Sequence, residues 1–336
     1  MANTQSDRAL LYCAGGGIGD SLVASIVGRA LRQRFERVDA LTLPGHRALL
    51  ERVPDVDDVL LDEGDGSALS AKLAAARYSA CVVTWATART ARVAQRAAIP
   101  VRVGQARRFY SFRFNRRVVV RSEQGDVTSH WSDVLLDFAR AIGCDTDDRR
   151  YRFIPTDDDE REAAAARAGR SRFILLNPCN AIASQRPQWP LTSWAALARA
   201  LTERYDAAVL VSGSAADAPM AEGVARLAQA EGCAASIAGT TSLGAFGALA
   251  RGALAFVGIT TGSMHVAAAV GCPTVGIFPF QSDFPDRWSP LGPRTAVVRP
   301  SFSCHRGDTK ERCVDYACIA HLDERRIVAA LDSVLA

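Results

Sequence analysis

Apolar runs and amphipathic segments alternate along almost the whole chain. "ALLYCA", "VDALTL", "VDDVLL" and "SACVVTW" are short and apolar. Between them lie "DSLVASIVGRALRQRF", "HRALLERV", "SALSAKLAAARY" and "TARTARVAQRAAI", whose apolar positions recur at helical spacing. Continuous apolar strands separated by helices predict a parallel sheet covered on both faces, because a strand buried on both sides has no polar face to alternate. After "VRVG" the rhythm breaks into an arginine-aromatic stretch, and "HWSDVLLDFARAIG" closes this half as a helix.

Residues 145–158, "DTDDRRYRFIPTDD", are charged and carry Pro155, which reads as a linker. The alternation then restarts. "RFILLNP", "AAVLVSG", "AASIAG", "LAFVGI" and "PTVGIF" are strand-like, and "LTSWAALARALTERY", "APMAEGVARLAQAEG" and "SLGAFGALARG" are helical. The amphipathic "LDERRIVAALDSVLA" ends the chain. Two doubly wound α/β domains are expected, 1–150 and 151–320, with 321–336 as a C-terminal helix free to pack back on the first domain. Ligands of such domains lie at the carboxyl ends of the strands, here in a cleft between the two.

Composition narrows the class. A chain of 336 residues is long for one core, and 49% hydrophobic with 23% charged residues is ordinary for a globular protein. No apolar run approaches the roughly 20 residues that span a bilayer. The N-terminus lacks a basic flank followed by a long apolar region, so no signal peptide is expected. Cys13 and Cys81 sit in strand-like runs as small hydrophobes, and the nine cysteines are an odd number, which fits a reducing cytoplasm better than a disulfide framework. The net charge is only +4, yet Lys72 and Lys310 are the only lysines. Any role that needs a basic group therefore falls almost always to arginine.

Three strand-to-helix turns carry candidate chemistry, each with a plainer structural reading beside it. At 257–278, "VGITTGSMHVAAAVGCPTVGIF" puts a turn of hydroxyls and glycine between a strand and a helix. A cap by Thr261 or Ser263 would explain it, and so would an anion site, because a helix N-terminus presents free N–H groups and positive potential. At 15–20, "GGGIGD" follows the first strand. A dinucleotide fingerprint would need glycine where Asp20 stands. The turn is thus either a tight connection capped by Asp20 or a place where a ligand approaches backbone with a carboxylate at its edge. At 177–194, "NPCNAIASQRPQWPLTSW" reads as a proline-rich loop with Trp189 packed between domains and Thr192 capping a helix. It reads equally as a loop whose Ser184, Gln185 and Arg186 meet a diphosphate.

These segments together resemble glycosyltransferase family 9, the lipopolysaccharide heptosyltransferase family. The matching residues are Gly19-Asp20 in the N-terminal turn, Trp189-Pro190 at mid-chain, Thr261-Gly262 and His265 continuing through Ala267 and Ala268 to Gly271 and Pro273, and Trp288, Pro290 and Gly292 downstream. The resemblance implies a GT-B fold of two Rossmann-like domains facing across a cleft, with acceptor on the first and donor on the second. It implies an inverting transferase that needs neither metal nor cofactor. Asp20 would be the general base. Ser184, Gln185, Arg186, Thr260, Thr261, Gly262, Ser263 and His265 would line the nucleotide-sugar donor, ADP-heptose or a relative. Two positions depart from the family. Its aspartate before Thr-Gly is Thr260 here, and its lysine before x-Trp-Pro is Pro187, next to Arg186. Either the donor sugar differs from ADP-heptose or the site is altered.

Residues 102–121, "RVGQARRFYSFRFNRRVVVR", interleave seven arginines with four aromatics. Buried aromatics in a solvated loop would explain them, and a nucleic-acid surface would want a stronger overall charge. The resemblance favours an acceptor side, with Gly17, Gly19, Arg107, Arg108 and Arg113 toward an anionic glycan or glycolipid and a peripheral contact with the inner membrane surface. Cys304, His305, Cys313, Cys318 and His321 lack the paired C-x₂-C spacing of a strong zinc site and read as structural thiols. Two other functions fit: a GT-B-type nucleotide-sugar epimerase, which would need no acceptor surface, and a non-catalytic sugar-nucleotide-binding protein, which would not need Asp20.

Overall fold

A computed structural model describes residues 7–179, 189–228, 233–280, 284–302 and 317–336. The chain divides into two compact units, Met1–Arg152 and Phe153–Ala336. In the first, strands β1 (Arg8–Tyr12), β2 (Arg37–Thr42), β3 (Val59–Leu61), β4 (Ala80–Val83), β5 (Val101–Gln105) and β6 (Arg116–Val118) form one parallel sheet in the order β3-β2-β1-β4-β5-β6. Its helices are α1 (Ile18–Leu31), the short α2 (Arg47–Leu50), α3 (Gly66–Ala76), α4 (Ala88–Arg96) and α5 (Trp131–Arg140). Helix α1 packs with α5, and α3 with α4, which covers both faces and explains the unbroken apolar runs of β1 and β4.

The second unit repeats the plan. Strands β7 (Phe173–Asn177), β8 (Ala208–Val211), β9 (Ala234–Ser236), β10 (Ala255–Ile259), β11 (Thr274–Ile277) and β12 (Thr295–Val298) lie in the order β12-β11-β10-β7-β8-β9. Its helices are α6 (Asp157–Ala166), α7 (Leu191–Tyr205), α8 (Ala218–Ala228), α9 (Leu243–Gly252), α10 (Gly262–Ala269), the single-turn α11 (Pro285–Trp288) and α12 (Glu324–Leu335). Both orders are the Rossmann sequence, and each reverses direction between two central strands, β1 and β4 in the first unit and β7 and β10 in the second.

Some elements fall where the sequence pattern names none, β6, β12 and α6 among them. Strands β6 ("RRV") and β12 ("TAVV") are edge strands, paired on one side only, so their sequences need not be continuously apolar. Helix α6 begins inside the charged stretch that reads as a linker. Thr156 accepts from the Asp159 backbone N–H while the Asp159 carboxylate accepts from Thr156, and the acidic first turn suits the positive end of the helix. The boundary between the units, after Arg152, still lies in that stretch. Upstream, the buried Arg29 guanidinium donates to the carbonyls of Asp148 and Arg150 at 2.9 and 2.7 Å, tying the segment to α1. The last helix, α12, is amphipathic. Its apolar side, Ile327, Leu331 and Val334, is buried in the second unit's own core, against β11, β12 and α7.

Candidate active site

In the first unit, the turn after β1 carries Gly15, Gly16 and Gly17 into α1. Gly16 has φ +69°, a conformation costly for any residue with a Cβ. Gly17 caps α1, and its backbone N–H donates to Asp20 Oδ2 at 2.7 Å. Asp20 is thus the third residue of the helix rather than its cap, and it reaches back over the turn. Burial pushes its carboxyl above the ordinary value, against the opposing pull of the Gly17 and Asp20 backbone N–H groups and of His46. A half-buried carboxylate with a raised affinity for protons is a better base near neutral pH than a solvated one.

His46 is the residue that sequence reasoning missed. It ends the short turn Pro44–His46 after β2, is buried, and its Nδ1 lies 2.8 Å from Ser21 Oγ. Burial lowers its proton affinity and the Asp20 charge opposes that. No motif flagged it, because its link to Asp20 and Ser21 runs between two strand ends.

In the second unit, β7 and β10 lie side by side, and their carboxyl ends hold the other two candidate turns. Thr260 continues the ladder, its N–H donating to Ile277 at 2.9 Å. Thr261 occupies the cap position of α10 in extended conformation, yet its side chain caps nothing. Its hydroxyl lies 2.7 Å from Ser263 Oγ, and Ser263 Oγ accepts from Asn177 Nδ2 at 3.1 Å. The Asn177 Oδ1 in turn accepts from the Cys179 N–H at 3.1 Å. The hydroxyls are therefore committed sideways, into a network joining the two turns, and neither Thr261 nor Ser263 supplies the cap that a purely structural reading called for. An anion at the opening of α10 would meet the N–H groups that a capping side chain would otherwise take. Gly258 makes the close approach possible: a Cβ there would lie 2.9 Å from both the carbonyl oxygen and the Cβ of Asn177. His265 is buried in the first turn of α10.

The remaining candidates are distributed as follows. Ser184, Gln185 and Arg186 lie outside the described residues, as do Cys304, His305 and Cys313. Trp189 packs edge-on against Trp194, 4.8 Å between ring centres, in the second unit's core, and Pro190 rather than Thr192 holds the cap position of α7. In the arginine-aromatic stretch, Tyr110 and Phe114 are buried, while Phe109 and Phe112 stand 84% and 64% exposed. Around them, Arg108 pairs with Glu123 Oε1 at 2.7 Å, Arg107 donates to the Glu123 carbonyl, and Arg113 lies over the Phe112 ring. Gly17 is exposed and Gly19 lies in the first turn of α1. The seven described cysteines are free and buried, and burial pushes the thiols of Cys13 and Cys81 up to about 12. Among the described residues no group of three or more His, Cys, Asp or Glu side chains is arranged to hold a metal, and no helix is long and apolar enough to cross a membrane.

Residues 67–316 match the family described as glycosyltransferase family 9 (heptosyltransferase). No curated protein matches the chain in sequence. Among solved structures, the ADP-heptose lps heptosyltransferase II of E. coli is 20% identical, with 98% of each chain covered and a TM-score of 0.79. A family 9 glycosyl transferase from Veillonella parvula is 16% identical, with 98% of this chain and 97% of that one covered and a TM-score of 0.83. The E. coli heptosyltransferase WaaC, solved with ADP, is 16% identical over 97% of this chain and 99% of its own, with a TM-score of 0.73. These likenesses place the two Rossmann-like units in the GT-B class.

Proposed function

From the premise that the chain belongs to glycosyltransferase family 9, the heptosyltransferase family, we propose that it moves a heptose or related sugar from an ADP-linked donor to a hydroxyl of a glycan or glycolipid. The transfer inverts the anomeric carbon and uses no metal. The observation that carries this reading is the turn opening α10, where the hydroxyls of Thr261 and Ser263 bond sideways and leave the helix N-terminus uncapped. The donor diphosphate seats there, held by backbone N–H groups and the helix dipole, and Ser184, Gln185 and Arg186 complete its binding. The same positive end stabilises the charge that develops on the leaving diphosphate as the glycosidic bond breaks. His265 and Thr260 flank the donor. Thr260 stands where the family has aspartate, so contacts to the sugar rest on a neutral hydroxyl.

On the first unit, Asp20 accepts the proton of the acceptor hydroxyl as its oxygen attacks the anomeric carbon. Its hydrogen bond from Gly17 fixes one carboxylate oxygen and leaves the other to face substrate. Burial lowers the proton affinity of His46, whose charge in turn acts on that carboxylate. The arginine-rich stretch, with Arg107, Arg108 and Arg113 around two exposed phenylalanines, favours an anionic acceptor at a membrane face, and a cytoplasmic enzyme working at the inner membrane surface fits it.

The reading is tested by thermal denaturation with nucleotides and nucleotide sugars. ADP and ADP-heptose should raise the melting temperature, since a ligand of the native state at about 100 times its Kd stabilises it by about 2.7 kcal/mol. UDP- and GDP-sugars should not. A shift with UDP-sugars alone would reject the ADP-linked donor.

A further inference from the structure

The strand order of the first unit reverses between β1 and β4, and the turn after β4 carries Trp85, whose indole is 42% exposed. The unit's other large aromatics near this sheet, Tyr12, Tyr78, Tyr110 and Phe114, belong to its core. Trp85 does not. It lies instead on the turn after β1: a Cβ on Gly15 would sit 2.0 Å from Trp85 Cδ1 and 2.5 Å from its Nε1. No other residue type fits beneath that ring. On the next residue, a Cβ on Gly16 would sit 2.6 Å from Asp20 Oδ2. Consecutive glycines, with Cα atoms about 3.8 Å apart, thus seat an indole and a carboxylate on neighbouring residues of one turn, both partly open to solvent.

We infer that Trp85 is the platform on which the acceptor's sugar ring stacks. The physical argument is the pairing. A pyranose has one face of C–H groups and an edge of hydroxyls. An indole face carries negative quadrupole density that attracts those C–H groups and gains from covering apolar area, and a carboxylate alongside accepts from a hydroxyl. Ligand sites of doubly wound units lie where the strand order reverses, and they combine aromatic lining with a few placed polar groups. This proposal rests on the reading of Asp20 as the base on the acceptor side. It adds that acceptor orientation is set by stacking, and that Gly15 serves to let the indole lie flat.

Saturation-transfer NMR on the full chain, with methyl heptopyranoside and methyl mannopyranoside as probes, tests it. Wild type should transfer saturation to the C–H protons of one ring face. Trp85→Ala should weaken glycoside affinity by about tenfold, and Trp85→Tyr should retain most of it. Gly15→Ala, which pushes the ring off its seat without removing it, should weaken binding similarly. In both Trp85→Ala and Gly15→Ala the far-UV circular dichroism and the melting shift with ADP should stay at the wild-type values, which shows that both units are folded. With a complete substrate pair, Trp85→Ala should raise the acceptor KM far more than it lowers kcat. Glycoside binding that survives in Asp20→Asn and falls in Trp85→Ala supports the platform whatever happens to transfer in Asp20→Asn, so the two readings fail separately. Absence of saturation transfer to either glycoside with wild type, or equal affinity in Trp85→Ala, overturns the proposal.

Discussion

Asp20 is one residue doing two things. It holds the turn through Gly17 N–H and it presents a carboxylate. The substitution Asp20→Asn separates them, since an amide oxygen still accepts from Gly17 while the carboxylate proposed as base is gone. Transfer should fall by a factor of about 10²–10⁴, measured with any working substrate pair, while ADP binding persists. The stability effect runs the other way. Because burial raises the folded carboxyl's affinity for its proton, its contribution to stability is complete below the ordinary carboxylate value and is lost as pH rises through the raised folded value. Asp20→Asn should therefore melt at or above the wild-type temperature at neutral pH, with the difference closing at about pH 3. A lower melting temperature at neutral pH would mean that the carboxylate is chiefly a structural cap. Arg186, read from sequence as a diphosphate clamp, is tested by Arg186→Ala. Donor affinity should weaken by about 1.5–3 kcal/mol, the worth of a hydrogen bond to a charged group, with a smaller effect on turnover of bound substrate. Unchanged affinity would point that guanidinium elsewhere.

At the scale of elements, α10 offers a sharper test. Its cap residue, Thr261, makes no capping bond. An aspartate there would accept from the first-turn N–H groups and complement the helix dipole, a change worth about 0.5–2 kcal/mol to the fold. It would also place a negative charge where the diphosphate is proposed to bind. Thr261→Asp should therefore raise the melting temperature of the unliganded protein and abolish its shift with ADP, a combination that simple misfolding cannot produce. Retention of the ADP shift would remove this helix end from the donor site. The turn was legible in sequence as strand, small polar residues and helix. Its hydroxyls were not legible as side braces, because Asn177, which bonds Ser263, is far away in the chain and comes near only when β7 pairs with β10.

At the scale of the molecule, the two units differ in their acids. Every carboxylate whose proton affinity is clearly lowered among the described residues, Asp57, Asp62, Asp126, Asp137, Asp145 and Asp148, belongs to the first unit. Arginine partners explain most of them, such as Arg121 with Asp137 at 2.7 Å and Arg140 with Asp145 at 2.8 Å, while hydroxyl and backbone donors from Ser129 and Thr128 hold Asp126 at about 2. A carboxyl held below its ordinary value contributes stability that is present above the unfolded value and is lost as pH falls through the folded one. Acid titration from about pH 4 to pH 2 should thus unfold residues 1–152 before residues 153–336. Limited proteolysis or calorimetry at each pH would read this as cleavage, or an early transition, confined to the first unit. Simultaneous loss of both units would show that the arginine pairs are too solvated to matter.

What the sequence determined by itself was whatever depends on near neighbours. The apolar runs named nine of the twelve strands, because a strand buried on both faces must be apolar along its length. Glycines and hydroxyls at strand exits marked the turns that became candidates, and Gly19-Asp20 and Thr261-Gly262 with His265 carried the family. The tertiary structure decided which distant pieces meet. The edge strands β6 and β12 became strands only by pairing with β5 and β11, and "RFYSF" divided into exposed Phe109 and Phe112 and buried Tyr110 and Phe114 only by packing. Asp20 acquired the charge of His46 as a neighbour, and Gly15 acquired its indole from Trp85, because β1 is flanked by β2 on one side and β4 on the other. Strand order is set by the burial of whole faces, a property of the collapsed chain that no local stretch of residues contains.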